Sequence, residues 1–322
     1  MPFYIDGHEI FVTYSAGFSL YPQDGKDAET LLMNADVAMY RAKEQKGNSF
    51  QFYAPEMHSR IRERLVLESN MRYALERQEF FLVYQPQIDS RTKRVFGMEA
   101  LIRWKHPEMG IIFPVKFISL AEETGLIVPI GEWVIRTACR QLKELQNAGL
   151  QDLTVAVNLS SRQFKENNLI PSIAKILQDT GLAGKGLELE LTESILMNSS
   201  QEITSILGEM KKMGIKLSID DFGTGYSSLS YLKRFPVDKL KIDQSFVKDI
   251  SIGGGDSAIV KAIINMGHSL SLRVIAEGVE TEDQLNFLTA HDCHEVQGYY
   301  YSKPLIAEEF KSFVERHNNL AA

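Results

Sequence analysis

From about residue 80 onward, short apolar runs alternate with amphipathic stretches. The runs Phe80–Gln87, Arg94–Trp104, Leu153–Leu159, Leu187–Thr192, Ile215–Asp220, Asp238–Asp243, Leu272–Glu277 and Glu295–Gly298 read as strands. Several are almost continuously apolar, as strands buried on both faces are. Between them the spacing turns helical. Ile203, Ile206, Leu207 and Met210 recur at i, i+3, i+4 and i+7 behind Ser200, a candidate N-cap. Lys211 and Lys212 suit the C-terminal dipole of that helix, and Gly214 stops it. Thr281 and Gln284 have the spacing of a capping box ahead of Leu285 and Leu288. Eight strands with helices between them, over about 250 residues, predict a TIM-type (β/α)8 barrel. An open doubly wound sheet ranks second, because no glycine-rich fingerprint follows the first strand.

Residues 1–53 predict a separate small α/β fragment. Glu9–Leu20 reads as one strand, Pro22-Gln23-Asp24-Gly25 as a turn, Ala28–Lys46 as a helix and Phe50–Tyr53 as a short strand. The helix is expected to turn Leu31, Leu32, Ala35, Ala38, Met39 and Ala42 inward. A unit this small is marginal by itself, so it reads as the tail of a truncated domain. Residues 54–66 suit a linker running into a helix marked by Leu65, Leu67, Met71 and Leu75, and 67–318 form the second domain.

Of the 322 residues, 44% are apolar and 24% are charged, which is enough to bury a core and excludes a disordered chain. The net charge of −7, with no basic tract, disfavours DNA as a partner. A small anionic ligand remains open, because bound cations invert the charge of an acidic pocket. Cys139 and Cys293 stand far apart with no CxxC spacing and read as reduced thiols. No apolar run reaches the ~18 residues a membrane span needs and no signal peptide is visible, so the expectation is a soluble, cytoplasmic chain.

Almost every candidate strand carries a polar residue at or near its end: Gln85, Glu99, Asn158, Glu190, Asp220 with Asp221, Lys241, Glu277 and Gln297. In a TIM barrel such ends share one mouth, where the chemistry sits. Nearly all are oxygen donors. Carboxylates crowded together repel unless a cation lies between them. Carboxylate, amide and water ligands suit Mg²⁺ or Mn²⁺, and the lack of His or Cys argues against Zn²⁺. Asp220-Asp221 is suited to bridge two ions, and two ions fit an in-line phosphoryl displacement. Lys241, the one cation, either orients the attacking water and neutralises developing charge or forms a structural ion pair; the two are compatible. The run from Asp220 to Ser228 (DDFGTGYSS) lies between a strand and a helix, and Glu193 is placed to hold this loop. Gly253-Gly254-Gly255 reads as a flexible loop.

Taken together, Glu99-Ala100-Leu101-Ile102-Arg103-Trp104, Asn158-Leu159-Ser160, Glu190-Leu191-Thr192-Glu193-Ser194, Asp220–Ser228, Lys239-Leu240-Lys241-Ile242-Asp243, Ala276-Glu277-Gly278-Val279-Glu280 and Gln297-Gly298-Tyr299 resemble the EAL domain family of cyclic di-GMP phosphodiesterases. The likeness runs in order over residues 67–318. It implies a barrel with an antiparallel first strand, cleavage of cyclic di-GMP to linear 5′-pGpG, and two Mg²⁺ or Mn²⁺ ions, with Ca²⁺ as an inhibitor. It implies Glu99, Asn158, Glu190, Asp220, Asp221 and Glu277 as metal ligands and Lys241, Glu277 and Glu99 as the catalytic set, Glu277 being either ligand or general base. Gln85, Leu101, Arg103, Asp243 and Gln297 become substrate contacts. Glu193, Phe222, Gly223, Thr224 and Gly225 become the loop that couples the site to a homodimer interface. Departures are small: Ser119 stands where proline is frequent, and the triple glycine replaces a more acidic stretch.

The N-terminal fragment resembles the closing third of a GGDEF (diguanylate cyclase) domain through Val12–Gly17, Pro22–Gly25 and Ala35–Lys43, without the signature motif. Cyclase activity is therefore not expected, and a longer GGDEF–EAL parent, membrane-anchored or not, is. Competing readings are a cyclic di-GMP receptor that does not cleave and a dimerising regulatory module.

Overall fold

The computed structural model describes residues 3–5, 8–10, 12–44, 48–193, 195, 201–224, 232, 234–250 and 255–320. They fall into two compact units, Met1–Tyr73 and Ala74–Ala322. Ser200, Gly225, Gly253 and Gly254 lie outside the described residues, as does most of the Asp220–Ser228 run beyond Thr224.

In the first unit, the stretch expected to be one strand divides between two sheets. β1 (Phe3–Ile5) pairs antiparallel with β2 (His8–Ile10), while β3 (Ser15–Phe18) pairs parallel with β4 (Ser49–Phe52). Each half of the run thus has a different partner, which periodicity cannot reveal. The helix Ala28–Glu44 buries Asn34, Ala38 and Ala42, spaced by four, and leaves Leu32 at 69% exposure. Its small inner residues match Gly17 of β3, where a Cβ would collide with the helix backbone at Ala35 and Met39. Over residues 54–66, expected to be a linker running into a helix, the helix starts earlier than the pattern suggests: it runs from Glu56 to Ala74, directly after Pro55.

The second unit is a closed eight-stranded barrel. Its strands are β5 (Phe80–Asp89), β6 (Arg94–His106), β8 (Thr154–Leu159), β9 (Leu187–Thr192), β10 (Lys216–Phe222), β11 (Lys239–Ile242), β12 (Arg273–Ala276) and β13 (Glu295–Val296). From β6 to β13 neighbours are parallel. β5 closes the ring antiparallel to both β6 and β13, as the family resemblance implies. β7 (Gly110–Ile112) only extends β6 as a hairpin. The order places every parallel strand end at one mouth.

β9 shows why these strands carry both apolar and acidic residues. Successive side chains point to opposite faces. Leu187, Leu189 and Leu191 are fully buried on one face, and Glu188 and Glu190 on the other are each 1% exposed. The helix Gln201–Lys212 packs Ile203, Leu207 and Met210 inward, and Gly214 follows it at φ +81°. Lys211 does more than face the dipole: its Nζ donates to both Asp238 oxygens at 2.6 and 2.8 Å. The Thr281–Gln284 capping box is formed. Among the described residues, no helix is long and apolar enough to cross a membrane.

Candidate active site

The parallel strands bring the predicted ring together. Lys241, fully buried on β11, is its centre. Its Nζ lies 2.6 Å from Glu190 Oε2, 3.0 Å from Asp220 Oδ1, 2.6 Å from Glu277 Oε1 and 3.9 Å from Glu99 Oε2. Asn158 Nδ2 donates to Glu99 Oε1 at 2.7 Å. Gln297 Nε2 makes a short hydrogen bond to Glu99 Oε2 and a longer one, 3.3 Å, to Gln85 Oε1. Gln85 and Glu99 do not end their strands. They face each other mid-strand across the antiparallel β5–β6 pair. Gln85 nevertheless reaches the same mouth.

Asp221 has φ +53° and lies within β10, in the register shift between Ile219 and Phe222 of the β10–β11 pair. Its backbone N–H donates to Asp220 Oδ1 at 3.0 Å. Oxygen atoms of Asp220, Asp221 and Glu277 lie within 4.8 Å of one another. At an effective dielectric near 20, two full charges at that distance repel by about 3 kcal/mol, so the group is costly when ionised and without a cation.

Burial and the neighbouring carboxylates push Glu190 well above the usual carboxylate range and Glu277 up to about 8, against the opposing pull of Lys241. Partial desolvation, then Asp220 and Asp243, raise Asp221 to about 6. Burial works against the charge on Lys241, but Asp220, Glu190, Glu277 and Glu99 outweigh it and hold the ammonium well above the ordinary lysine range. Lys241 is therefore both an ion pair and the cation of the ring.

The ring opens into a cavity of about 200 Å³ lined by Gln85, Glu99, Leu101, Glu277, Gln297 and Tyr299, among others. Arg103 lies further along β6. Its guanidinium sits over the Phe113 ring at 5.0 Å, and burial lowers its pKa. Asp243 caps the helix Gln244–Lys248, accepting from Ser245 N–H at 3.0 Å, and also meets Asp221. Glu193 Oε2 accepts from the Gly223 N–H at 3.4 Å, so it does hold the loop after Asp221. Phe222 is buried, Gly223 sits at φ +101° and Thr224 Oγ1 donates to the Asp221 carbonyl.

Sequence reasoning missed two features. Gln87, fully buried, donates through Nε2 to Gln297 Oε1 at 3.0 Å. A second buried pair, Lys239 Nζ to Glu188 Oε2 at 3.0 Å, lies on the same strands as Lys241 and Glu190, two residues toward their N-termini. In both cases the signal was period 2. Gln85 with Gln87, Glu188 with Glu190, and Lys239 with Lys241 each share a face.

A closed α/β barrel with carboxylates, an amide and a buried lysine at its strand-end mouth defines a class of proteins that handle hard cations or phosphates. The sequence matches the EAL domain family over residues 68–304, and the chain belongs to that family. Residues 1–49 match the diguanylate cyclase GGDEF domain, a short fragment of it. Curated relatives include the bifunctional diguanylate cyclase/cyclic di-GMP phosphodiesterase MucR of Pseudomonas aeruginosa, 44% identical over 97% of this chain and 46% of MucR. The cyclic di-GMP phosphodiesterase PdeR of Escherichia coli is 41% identical over 98% of this chain and 48% of its own length. The chain thus spans less than half the length of these relatives. Among solved structures, the MucR phosphodiesterase in complex with c-di-GMP superposes with a TM-score of 0.74 at 45% identity, covering 76% of this chain and 99% of that one. The EAL enzyme Bd1971, bound to cAMP and cyclic-di-GMP, gives 0.75 at 30% identity, covering 90% and 76%.

Proposed function

We propose that this chain hydrolyses one phosphodiester bond of cyclic di-GMP, yielding linear 5′-pGpG, with two Mg²⁺ or Mn²⁺ ions held in the ring. The observation that supports this most is the completeness of the ring around Lys241. Five carboxylates, Glu99, Glu190, Asp220, Asp221 and Glu277, face one ammonium, an excess of four negative charges when all are ionised. Two divalent cations balance that excess. Glu190 Oε1, buried and without a hydrogen-bond partner among the described residues, adds an orphaned acceptor that suits a cation. The donors are all oxygen, which fits a hard ion.

Glu99, Asn158, Glu190, Asp220, Asp221 and Glu277 would hold the ions. When bound, such ions supply Lewis-acid charge to the phosphoryl oxygens and a nucleophilic water at neutral pH. Lys241 stays protonated throughout, since its neighbours hold its pKa up, and neutralises charge developing on the phosphoryl group. Glu277 serves as an ion ligand or as the base that takes the proton of the attacking water, and it lies 2.6 Å from Lys241 Nζ in either role. Gln85, Leu101, Gln297 and Asp243 position the nucleotide. Arg103, held against Phe113, supplies a cation for a phosphate.

Glu193 and the residues Phe222, Gly223, Thr224 and Gly225 couple the site to a homodimer formed through the barrel. Light scattering that reports monomers at all working concentrations would remove that part of the reading. The main test is chromatographic release of pGpG with a metal series. Mn²⁺ and Mg²⁺ should support turnover and Ca²⁺ should inhibit it. Glu99→Ala should abolish turnover and leave the circular dichroism spectrum unchanged. Intact substrate after long incubation with concentrated enzyme would sink the proposal, and tight calorimetric binding without cleavage would mark a receptor.

A further inference from the structure

We infer that Gln87 is a positioning residue: its N–H locks the amide of Gln297 so that the Gln297 NH₂ faces Glu99. This rests on the reading of Glu99 as a metal ligand. A carboxylate accepts hydrogen bonds and cannot donate them. Glu99 receives Asn158 on Oε1 and Gln297 on Oε2. Gln297 must therefore turn its NH₂ to Glu99, and the same nitrogen also donates to Gln85 Oε1. Its carbonyl is then left facing β5, where only a donor can satisfy it. Gln87 Nε2 is that donor, at 3.0 Å. The polarity of the chain from Gln87 through Gln297 to Glu99 is thus set at one end by the carboxylate and at the other by Gln87.

Stability does not account for a glutamine at this position. Gln87 is fully buried, and its Oε1 has no hydrogen-bond partner among the described residues. A buried acceptor without a partner is unfavourable, so the orphaned Gln87 carbonyl offsets what the bond to Gln297 contributes. The fold also makes room for the amide. Gly97 lies opposite Gln87 in the β5–β6 pair, and a Cβ there would stand 2.9 Å from Gln87 Oε1. What the site gains is a directional donor. With Gln297 free to flip, its carbonyl would face the Glu99 carboxylate, and Glu99 would lose its fixed geometry.

Two nearly isosteric variants test this in the full chain. Gln87→Met keeps the volume and removes the donor; Gln87→Glu keeps the shape and presents only acceptors. Both should weaken Mn²⁺ binding, measured by calorimetry, by about 10–100-fold, as loss of an outer-shell partner does. Both should lower kcat more than they change KM. The melting temperature of metal-free Gln87→Met should stay close to that of wild type, because losing the bond to Gln297 and losing the orphaned Gln87 carbonyl offset each other; a large fall with unchanged Mn²⁺ affinity would mark a purely structural role. Should Gln87→Glu fail to fold, Gln87→Met decides. Wild-type Mn²⁺ affinity and kcat in Gln87→Met would overturn the assignment, as would a wild-type chain that binds no Mn²⁺. Failure of the phosphodiesterase reading is distinct: the wild type would bind Mn²⁺ with the Gln87 dependence and yet leave cyclic di-GMP intact.

Discussion

Lys239 and Lys241 stand two residues apart on one strand, both fully buried and both ion-paired, yet their surroundings give them different work. Lys239 meets Glu188 at 3.0 Å and Glu295 at 3.7 Å, away from the mouth. Removing one member of a buried pair leaves an uncompensated charge and costs about 3–5 kcal/mol. Lys239→Met should lower stability to urea by that order and leave the kcat of the folded fraction near wild type. Lys241→Met should lose stability similarly and lose turnover by at least about a hundredfold. Equal kcat losses in the two would contradict the separation. Asp221 gives a pH signature. Its carboxyl keeps a proton up to about pH 6 in the folded chain but only to about 3.8 as a free aspartate. Between those values the folded state binds more protons, so this group's contribution to stability falls as pH rises through the window. Asp221→Asn should flatten that part of the stability–pH curve of the metal-free chain, and an unchanged slope would remove Asp221 as its source.

At the scale of elements, the site depends on how strand ends are turned. Gly298 directly follows Gln297, and a Cβ on it would overlap the backbone of Val279. Backbone cannot give way as a flexible side chain can, so Gly298→Ala should cost about 1–3 kcal/mol or more and reduce turnover by displacing Gln297. Denaturant midpoints and kcat measured together check this, and a neutral result would show that the β13 end relaxes freely. Gly278, at φ +68°, turns the chain just after Glu277, with a Cβ position crowded against Gln244. β5 carries a different lesson. Its residues Gln85 and Gln87 reach the site from a strand that runs against its neighbours.

At the scale of the molecule, the barrel has its own core and its own closed sheet, and the first unit contributes none of its strands. A chain starting near residue 55 should therefore retain the barrel's circular dichroism and its turnover. Loss of both on truncation would show that the barrel depends on the first unit.

The early start of the helix at Glu56, like the division of β2 from β3, was hidden because polar helices and linkers share a composition and because strand partners are non-local. By contrast, the eight barrel strands were legible nearly to the residue. Strands buried on both faces, separated by amphipathic helices, leave few other solutions. The ring was legible too, since polar residues interrupting apolar strands have no bland explanation when they recur on every strand. What the sequence by itself determined was thus the fold class, the oxygen-donor chemistry and the presence of one cation among the acids. Only the tertiary structure decided that Lys241 sits between Glu190, Asp220 and Glu277, that Gln85 faces Glu99, and that Gln87 stands behind Gln297. Those contacts join residues up to 210 positions apart, and closure of the barrel, not any local pattern, sets which side chains meet at its mouth.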